Sequence, residues 1–230
     1  MKAIILTAGK GTRMLPLTLT KPKPLVEVLG KSLLGRTLDN LPDEVTELIV
    51  VFGYLGDQIH EHLGTTWREN PIVYIEQKEI SGTLSALHLA RPYIGQDERF
   101  LFLFTDDICD KESLDRLLLH ERAILVSEVD RPERFGIAVV DESGNITDIE
   151  EKPEHPKSNL AVTCAYLFDS HIFEYEGEKH PNGEYYLPPV IKKMIRDYPV
   201  ATEKASLWIP VAYPEDIKKA EEILRAKGIE

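Results

Sequence analysis

Cysteine is nearly absent: two residues in a chain of 230, and neither Cys109 nor Cys164 stands at metal-ligand spacing from another ligand type. A metal module built on cysteine is therefore not indicated, and both thiols, set in apolar runs, read as reduced core residues, with a reactive free thiol or a bridge between them as the alternatives. Positive charge is also in deficit, with 27 Lys and Arg against 39 Asp and Glu and a formal net charge of −12. A chain this acidic offers no general surface to nucleic acid or to an anionic membrane. No apolar run approaches the length of a membrane span. The first one, about six residues, is too short for a secretory leader, so a cytoplasmic location is expected. Internal repeats and low-complexity segments are missing. The 43% of hydrophobic residues suffices for the core of one large domain spanning 1–230.

Two widespread phosphate-binding motifs are missing as well. A Walker A loop has four residues between its glycines and closes on Gly-Lys-Ser/Thr; here only Lys10 separates Gly9 from Gly11, and no such ending follows. The dinucleotide fingerprint needs a third glycine or alanine where Met14 stands.

What is present is an apolar strand, Ala3–Thr7, running into a glycine-rich basic loop, Ala8-Gly9-Lys10-Gly11-Thr12-Arg13, followed by Lys21-Pro22-Lys23-Pro24-Leu25. Gly9 and Gly11 allow a sharp turn that brings bare N–H groups against an anion. Arg13, Lys21 and Lys23 add fixed positive charge, and Arg13 can fork onto phosphate oxygens. In an acidic chain, this local basic concentration points to a small anionic ligand.

Further strands are predicted over Glu47–Phe52, Ile72–Ile75 and Phe100–Phe104, alternating with helices over Ser32–Asn40, Leu55–Leu63, Thr83–Ala90 and Ser113–His120. That alternation implies an α/β fold, a doubly wound, mostly parallel sheet with ligands beyond the carboxyl ends of its strands. The later part predicts a mixed, hairpin-rich region. It has strands over Ile124–Val129, Gly136–Val140, Ile146–Glu150 and Ala161–Phe168, a turn at Asp141–Asn145, and helices over Pro188–Arg196 and Pro214–Ala226. A nucleotide-handling half over about 1–110 and an acceptor half over about 111–230 are expected within one domain.

Three groups of residues carry chemistry. Asp106 ends the apolar run Phe100–Phe104 and is placed to hold Mg²⁺ together with substrate phosphates; the alternative is that Asp106, Asp107 and Asp110 cap the following helix. Glu150-Glu151-Lys152-Pro153 ends a strand in groups able to meet a phosphate and sugar hydroxyls, or forms a solvated charged turn. Gln77 and Gly82-Thr83 offer an amide and an open backbone to the edge and face of a base, although both residue types are common at strand ends and helix starts.

Together these segments resemble the sugar-1-phosphate nucleotidylyltransferases, the NDP-sugar pyrophosphorylases, with a Rossmann-like nucleotidyltransferase fold. The resemblance runs over almost the whole chain. It is most specific at Gly9-Lys10-Gly11-Thr12-Arg13 with Pro22-Lys23-Pro24, and continues through Gln77…Gly82-Thr83, Asp106, Phe135-Gly136, Glu151-Lys152-Pro153, Asn159…Tyr166 and Glu184–Leu187. It implies attack of a sugar 1-phosphate on the α-phosphorus of an NTP, UTP or dTTP foremost, with Mg²⁺. It places Gly9, Gly11, Thr12 and Arg13 at the triphosphate, with Arg13 stabilising the leaving pyrophosphate, and Lys23 on the nucleotide phosphates. Asp106 is placed on the metal and Lys152 on the attacking phosphate, Glu151 and Gly136 at the sugar, and Gln77, Gly82 and Thr83 at the base. Thr105 replaces the family's usual glycine. Pro210 in Trp208-Ile209-Pro210-Val211-Ala212-Tyr213-Pro214 stands where the family has a second metal-binding aspartate, and Glu215 and Asp216 read as helix-capping. Two other readings stay open: a cytidylyltransferase acting on a phosphorylated alcohol such as inositol phosphate or phosphocholine, and a catalytically silent nucleotide-sugar-binding subunit. A homo-oligomer is also left open.

Overall fold

The apolar runs of the first half become the parallel centre of a nine-stranded sheet. In the computed structural model, which describes residues 1–229, β1 (Lys2–Leu6), β2 (Glu47–Phe52), β3 (Val73–Glu76) and β4 (Phe100–Phe104) lie in the order β3-β2-β1-β4, all parallel. Ile4 sits in register between Ile49 and Phe102, and Ile5 between Val50 and Leu103. Such strands are buried on both faces, which is why they read as unbroken apolar runs. Alternate residues feed two separate cores. Ile4, Ile49, Val51, Phe100 and Phe102 face one; Ala3, Ile5, Leu48, Val50, Leu101 and Leu103 face the other. Each fully buried Val, Leu, Ile or Phe among them contributes about 1.5–3 kcal/mol by leaving water.

Helices cover both faces. α1 (Leu33–Asp39), α2 (Gly56–Leu63) and α4 (Lys111–Leu117) bury Leu34, Ile59 and Leu114 in one core, while α3 (Thr83–Leu89) and α5 (Pro188–Met194) bury Leu87 and Val190 in the other. Ser32 caps α1 by accepting the Gly35 N–H at 3.0 Å.

Beyond β4 the sheet becomes mixed, as expected. β6 (Ala123–Glu128), β7 (Gly136–Val140), β8 (Ile146–Glu151) and β9 (Leu160–Phe168) are joined through β9, which runs antiparallel to β4, β6 and β7. β7 and β8 form the hairpin around the Asp141–Asn145 turn.

Several short strands escape the sequence reading, among them the two-residue pairs Glu27–Val28 with Lys31–Ser32 and Thr66–Trp67 with Asn70–Pro71. β5 (Asp107–Cys109) and β11 (Trp208–Pro210) make a two-stranded ladder, and β10 (Ala201–Lys204) adds to β6 in parallel. The ladder joins a third cluster, in which Met14, Ile108, Ile209 and Val211 pack against α6 (Pro214–Ala226). The expected helix over Ser113–His120 is also shifted. Asp110 stands at its N-cap position, with its carboxylate taking the Leu207 N–H at 3.2 Å and the Ser113 hydroxyl, and His120 faces Glu203 at 3.1 Å beyond the helix end. No helix among the described residues is long and apolar enough to cross a membrane.

Candidate active site

The strand order reverses between β1 and β4, and a cavity of about 390 Å³ opens there, at the carboxyl ends of the parallel strands. Thr105 braces this edge: its buried hydroxyl donates to the Leu6 carbonyl at 2.9 Å, tying the end of β4 to the end of β1. Gly9, Gly11, Arg13, Lys23, Thr83, Asp106 and Glu151 line the cavity, so residues from both halves of the chain meet in it.

The glycine-rich loop is held by its own backbone. Gly11 has φ of +60°, and a Cβ there would lie 3.0 Å from both Lys23 Cβ and Thr18 Cγ2. Its carbonyl accepts the Thr18 hydroxyl at 2.8 Å and the Met14 N–H at 2.9 Å. Met14 is fully buried, which anchors the turn Thr12–Met14 and leaves Arg13 exposed on the cavity wall. Lys23 is buried, and its Nζ lies 3.3 Å from Asp106 Oδ2. A buried ammonium requires such a partner. Lys21, by contrast, pairs with Glu27 at 3.0 Å and is not among the lining residues, so the loop delivers two of its three expected cations to the cavity.

Asp106 opens to the cavity, and among the described residues its Oδ1 takes no hydrogen bond. Asp107 is committed elsewhere: its Oδ2 accepts the Trp208 indole N–H at 2.8 Å. Burial, and next the neighbouring Asp106 carboxylate, push the Asp107 carboxyl up to about 7 against the opposing pull of Lys23 and Trp208. Neither carboxylate caps the following helix. Pro210 pairs across the ladder with Asp107. Asp216 takes the Ala212 and Tyr213 N–H groups at 2.9 and 2.8 Å, which makes it the cap of α6. No group of three His, Cys, Asp or Glu able to hold a cation exists among the described residues.

On the opposite wall Gly136 pairs with Glu151, and a Cβ on the glycine would come within 3.3 Å of Glu151 Oε2. Lys152 is exposed, outside the lining, with φ of +44° and its Nζ 3.0 Å from Glu151 Oε1. Gln77 is buried; its amide donates to the Gly82 carbonyl at 3.2 Å rather than reaching the lining. Gly82 has φ of +101° and approaches the Tyr185 backbone so closely that any Cβ would collide with its carbonyl oxygen. Tyr185 in turn exchanges backbone hydrogen bonds with Ser81 and Leu84. Thr12 is exposed and outside the lining.

Sequence reasoning did not single out Tyr166, Tyr186 and Leu187 as lining residues, although they line the cavity. Tyr166 is 4% exposed, and burial, then the Glu151 charge, push its phenol well up. The available signal was the family resemblance, whose segments Asn159…Tyr166 and Glu184–Leu187 contain all three residues.

Residues 2–227 match the nucleotidyl transferase family. The chain belongs to that family. It is 38% identical over 240 residues to the UTP–glucose-1-phosphate uridylyltransferase AglF of Haloferax volcanii, covering 98% of this chain and 97% of AglF. It is 36% identical over 231 residues to the bifunctional protein GlmU of Methanocaldococcus jannaschii, covering 99% of this chain. The chain spans about half, 55%, of that GlmU. Among solved structures it resembles a glucose-1-phosphate thymidylyltransferase from Bacillus anthracis, determined with sucrose, at a TM-score of 0.85 and 27% identity over 98% of this chain and 95% of the other. A UDP-glucose pyrophosphorylase with UDP-glucose shares the fold at a TM-score of 0.83, with 22% identity over 98% of both chains. The resemblance read from the glycine-rich loop is thus borne out for the family and for the fold of this nucleotidyl transferase.

Proposed function

We propose that the chain transfers a nucleotidyl group from an NTP, with UTP or dTTP favoured, to a sugar 1-phosphate, giving an NDP-sugar and pyrophosphate. The observation that carries this reading is the convergence of Arg13, the Lys23–Asp106 pair and Glu151 on one cavity at the switch point of the sheet. The loop glycines and Arg13 bind the triphosphate, and Lys23 holds the nucleotide phosphates from beneath. An oxygen of the sugar phosphate attacks the α-phosphorus, the bond to the bridging oxygen breaks, and pyrophosphate leaves with the charge that Arg13 stabilises. Such a reaction needs positioning and charge neutralisation and no covalent intermediate on the protein.

The donor set fits Mg²⁺. This ion is ordinarily held by one or two carboxylates, substrate phosphates and water, and Asp106 presents one open carboxylate beside the phosphate loop. Bound there, Mg²⁺ would neutralise charge on the phosphates. Glu151, backed by Gly136, orients the sugar, and Lys152 meets its phosphate. Gln77, Gly82 and Thr83 shape the base side, with residues 1–110 serving the nucleotide and 111–230 the acceptor. The two buried thiols and the need for nucleoside triphosphates agree with a cytoplasmic setting.

The test is pyrophosphate release with Mg²⁺. UTP, dTTP, CTP, ATP and GTP are crossed with glucose 1-phosphate, N-acetylglucosamine 1-phosphate, mannose 1-phosphate, inositol phosphate and phosphocholine. Release with UTP or dTTP and a sugar phosphate is expected. Release only with CTP and a phosphorylated alcohol, or with no pairing, would overturn the reading.

A further inference from the structure

Two arginines distant in sequence approach one aromatic ring. The guanidinium carbon of Arg13 lies 5.8 Å from the centroid of Tyr213, and that of Arg134 lies 6.0 Å from the same centroid. All three are fixed through their backbones. Arg13 sits in the turn anchored by buried Met14. Arg134 ends the turn Pro132–Arg134, its N–H donating to the Arg131 carbonyl at 3.2 Å. The next residue, Phe135, packs edge-on to Trp208 at 5.4 Å and accepts the Lys152 N–H at 3.0 Å. Tyr213 precedes α6, and its N–H donates to the Asp216 carboxylate.

Among the described residues neither guanidinium takes part in an ion pair or a side-chain hydrogen bond. Arg116 and Arg122, by contrast, are paired: they meet Glu203 at 2.8 Å and Asp169 at 2.7 Å. Two unpaired cations drawn to one ring repel each other, and the attraction of a half-buried ring such as Tyr213 for a cation is modest. Each guanidinium keeps its planar fork of N–H donors available, the geometry that grips phosphate oxygens. A single phosphate is served by one such fork; two forks sharing a ring suit a chain of phosphates.

We infer that Arg134 is a second phosphate-binding arginine, which with Arg13 holds the di- or triphosphate group, Tyr213 being the ring that positions both guanidiniums. The inference rests on the placement of phosphates at Arg13 proposed above and adds a cation from the acceptor half of the chain. Arg134 and Tyr213 lie beyond the lining of the cavity, next to Arg13 which is part of it, so the leaving pyrophosphate would gain charge stabilisation from both halves of the chain.

The test is calorimetric binding of inorganic pyrophosphate, with uridine as a phosphate-free control, to the intact chain and to R13A, R134A, R134K, Y213A and Y213F at one ionic strength. Both arginines are exposed, and a thermal scan checks that each variant is folded. R134A is expected to weaken pyrophosphate binding tenfold or more and to leave uridine binding unchanged. R134K should recover only part of the loss, and Y213F should bind better than Y213A. Wild-type affinity in R134A alongside weakened R13A would overturn the role of Arg134 and leave the phosphate loop standing. Wild-type affinity in R13A, or no pyrophosphate binding by the unaltered chain, would overturn the phosphate placement itself and the inference with it.

Discussion

Pro210 lies directly across the β5–β11 ladder from Asp107 and carries no side-chain ligand. The wall therefore offers Asp106 and Asp107 alone, and Asp107 is engaged by the Trp208 indole. Mg²⁺ dependence should ride on Asp106. Asp106→Asn is expected to raise the Mg²⁺ concentration for half-maximal turnover at least tenfold with the thermal midpoint unchanged. Asp107→Asn should shift it far less. A metal titration of both variants decides this, and equal responses would move the metal ligand off Asp106.

Lys23 reaches the cavity as a buried cation 3.3 Å from Asp106. Lys23→Met keeps the stem and removes the charge. Turnover should fall about a hundredfold or more, the scale seen when one preorganised donor to developing charge is lost. Steady-state kinetics at saturating substrates measures it; near-wild-type turnover would take Lys23 out of the reaction.

Gly11→Ala combines a left-handed backbone with contacts at 3.0 Å to Lys23 and Thr18. The backbone alone costs about 1–2 kcal/mol. Urea unfolding should show at least that loss, and the displaced Lys23 should lower activity further. A variant as stable and active as wild type would mean that the loop relaxes freely.

Gly82→Ala should be more damaging to stability than Gly11→Ala, because the atom in the way is the backbone carbonyl of Tyr185 and not a flexible side chain. The expected sign is loosening of 184–187 from α3, read as faster limited proteolysis in that segment together with a lower urea midpoint. Unchanged proteolysis would show that the two segments separate without cost.

Asp148 gives a pH prediction away from the cavity. Burial opposes its ionisation, but hydrogen bonds and charge from Lys157 and Lys192 outweigh burial and bring the carboxyl down to about 2. A native value below that of the unfolded chain means the contribution is fully present above the ordinary aspartate value of about 3.9 and is lost as pH falls through the native one. Asp148→Asn should therefore be less stable than wild type at neutral pH, with the difference closing between about pH 5 and pH 2. A difference constant over that window would contradict the coupling.

The parallel strands were legible because burial on both faces makes Ala3–Leu6 and Phe100–Phe104 continuous apolar runs. Asp107–Cys109 and Trp208–Pro210 were not. Three-residue strands carrying an aspartate and a proline have no pattern of their own and exist because Ile108 and Ile209 close the third core cluster. Gly11 was legible from its loop. The requirement at Gly82 was not, since it comes from Tyr185, a backbone contact that no local sequence encodes. The meeting of Arg13, Arg134 and Tyr213 is likewise a product of tertiary packing.

The most direct measurement of the central claim is a structure of the chain with UTP and Mg²⁺. The account predicts the triphosphate in the cavity between β1 and β4, its oxygens on the Gly9–Arg13 loop and on Lys23, with the metal on Asp106. Nucleotide bound elsewhere, or phosphates turned away from Arg13 and Lys23, would contradict it.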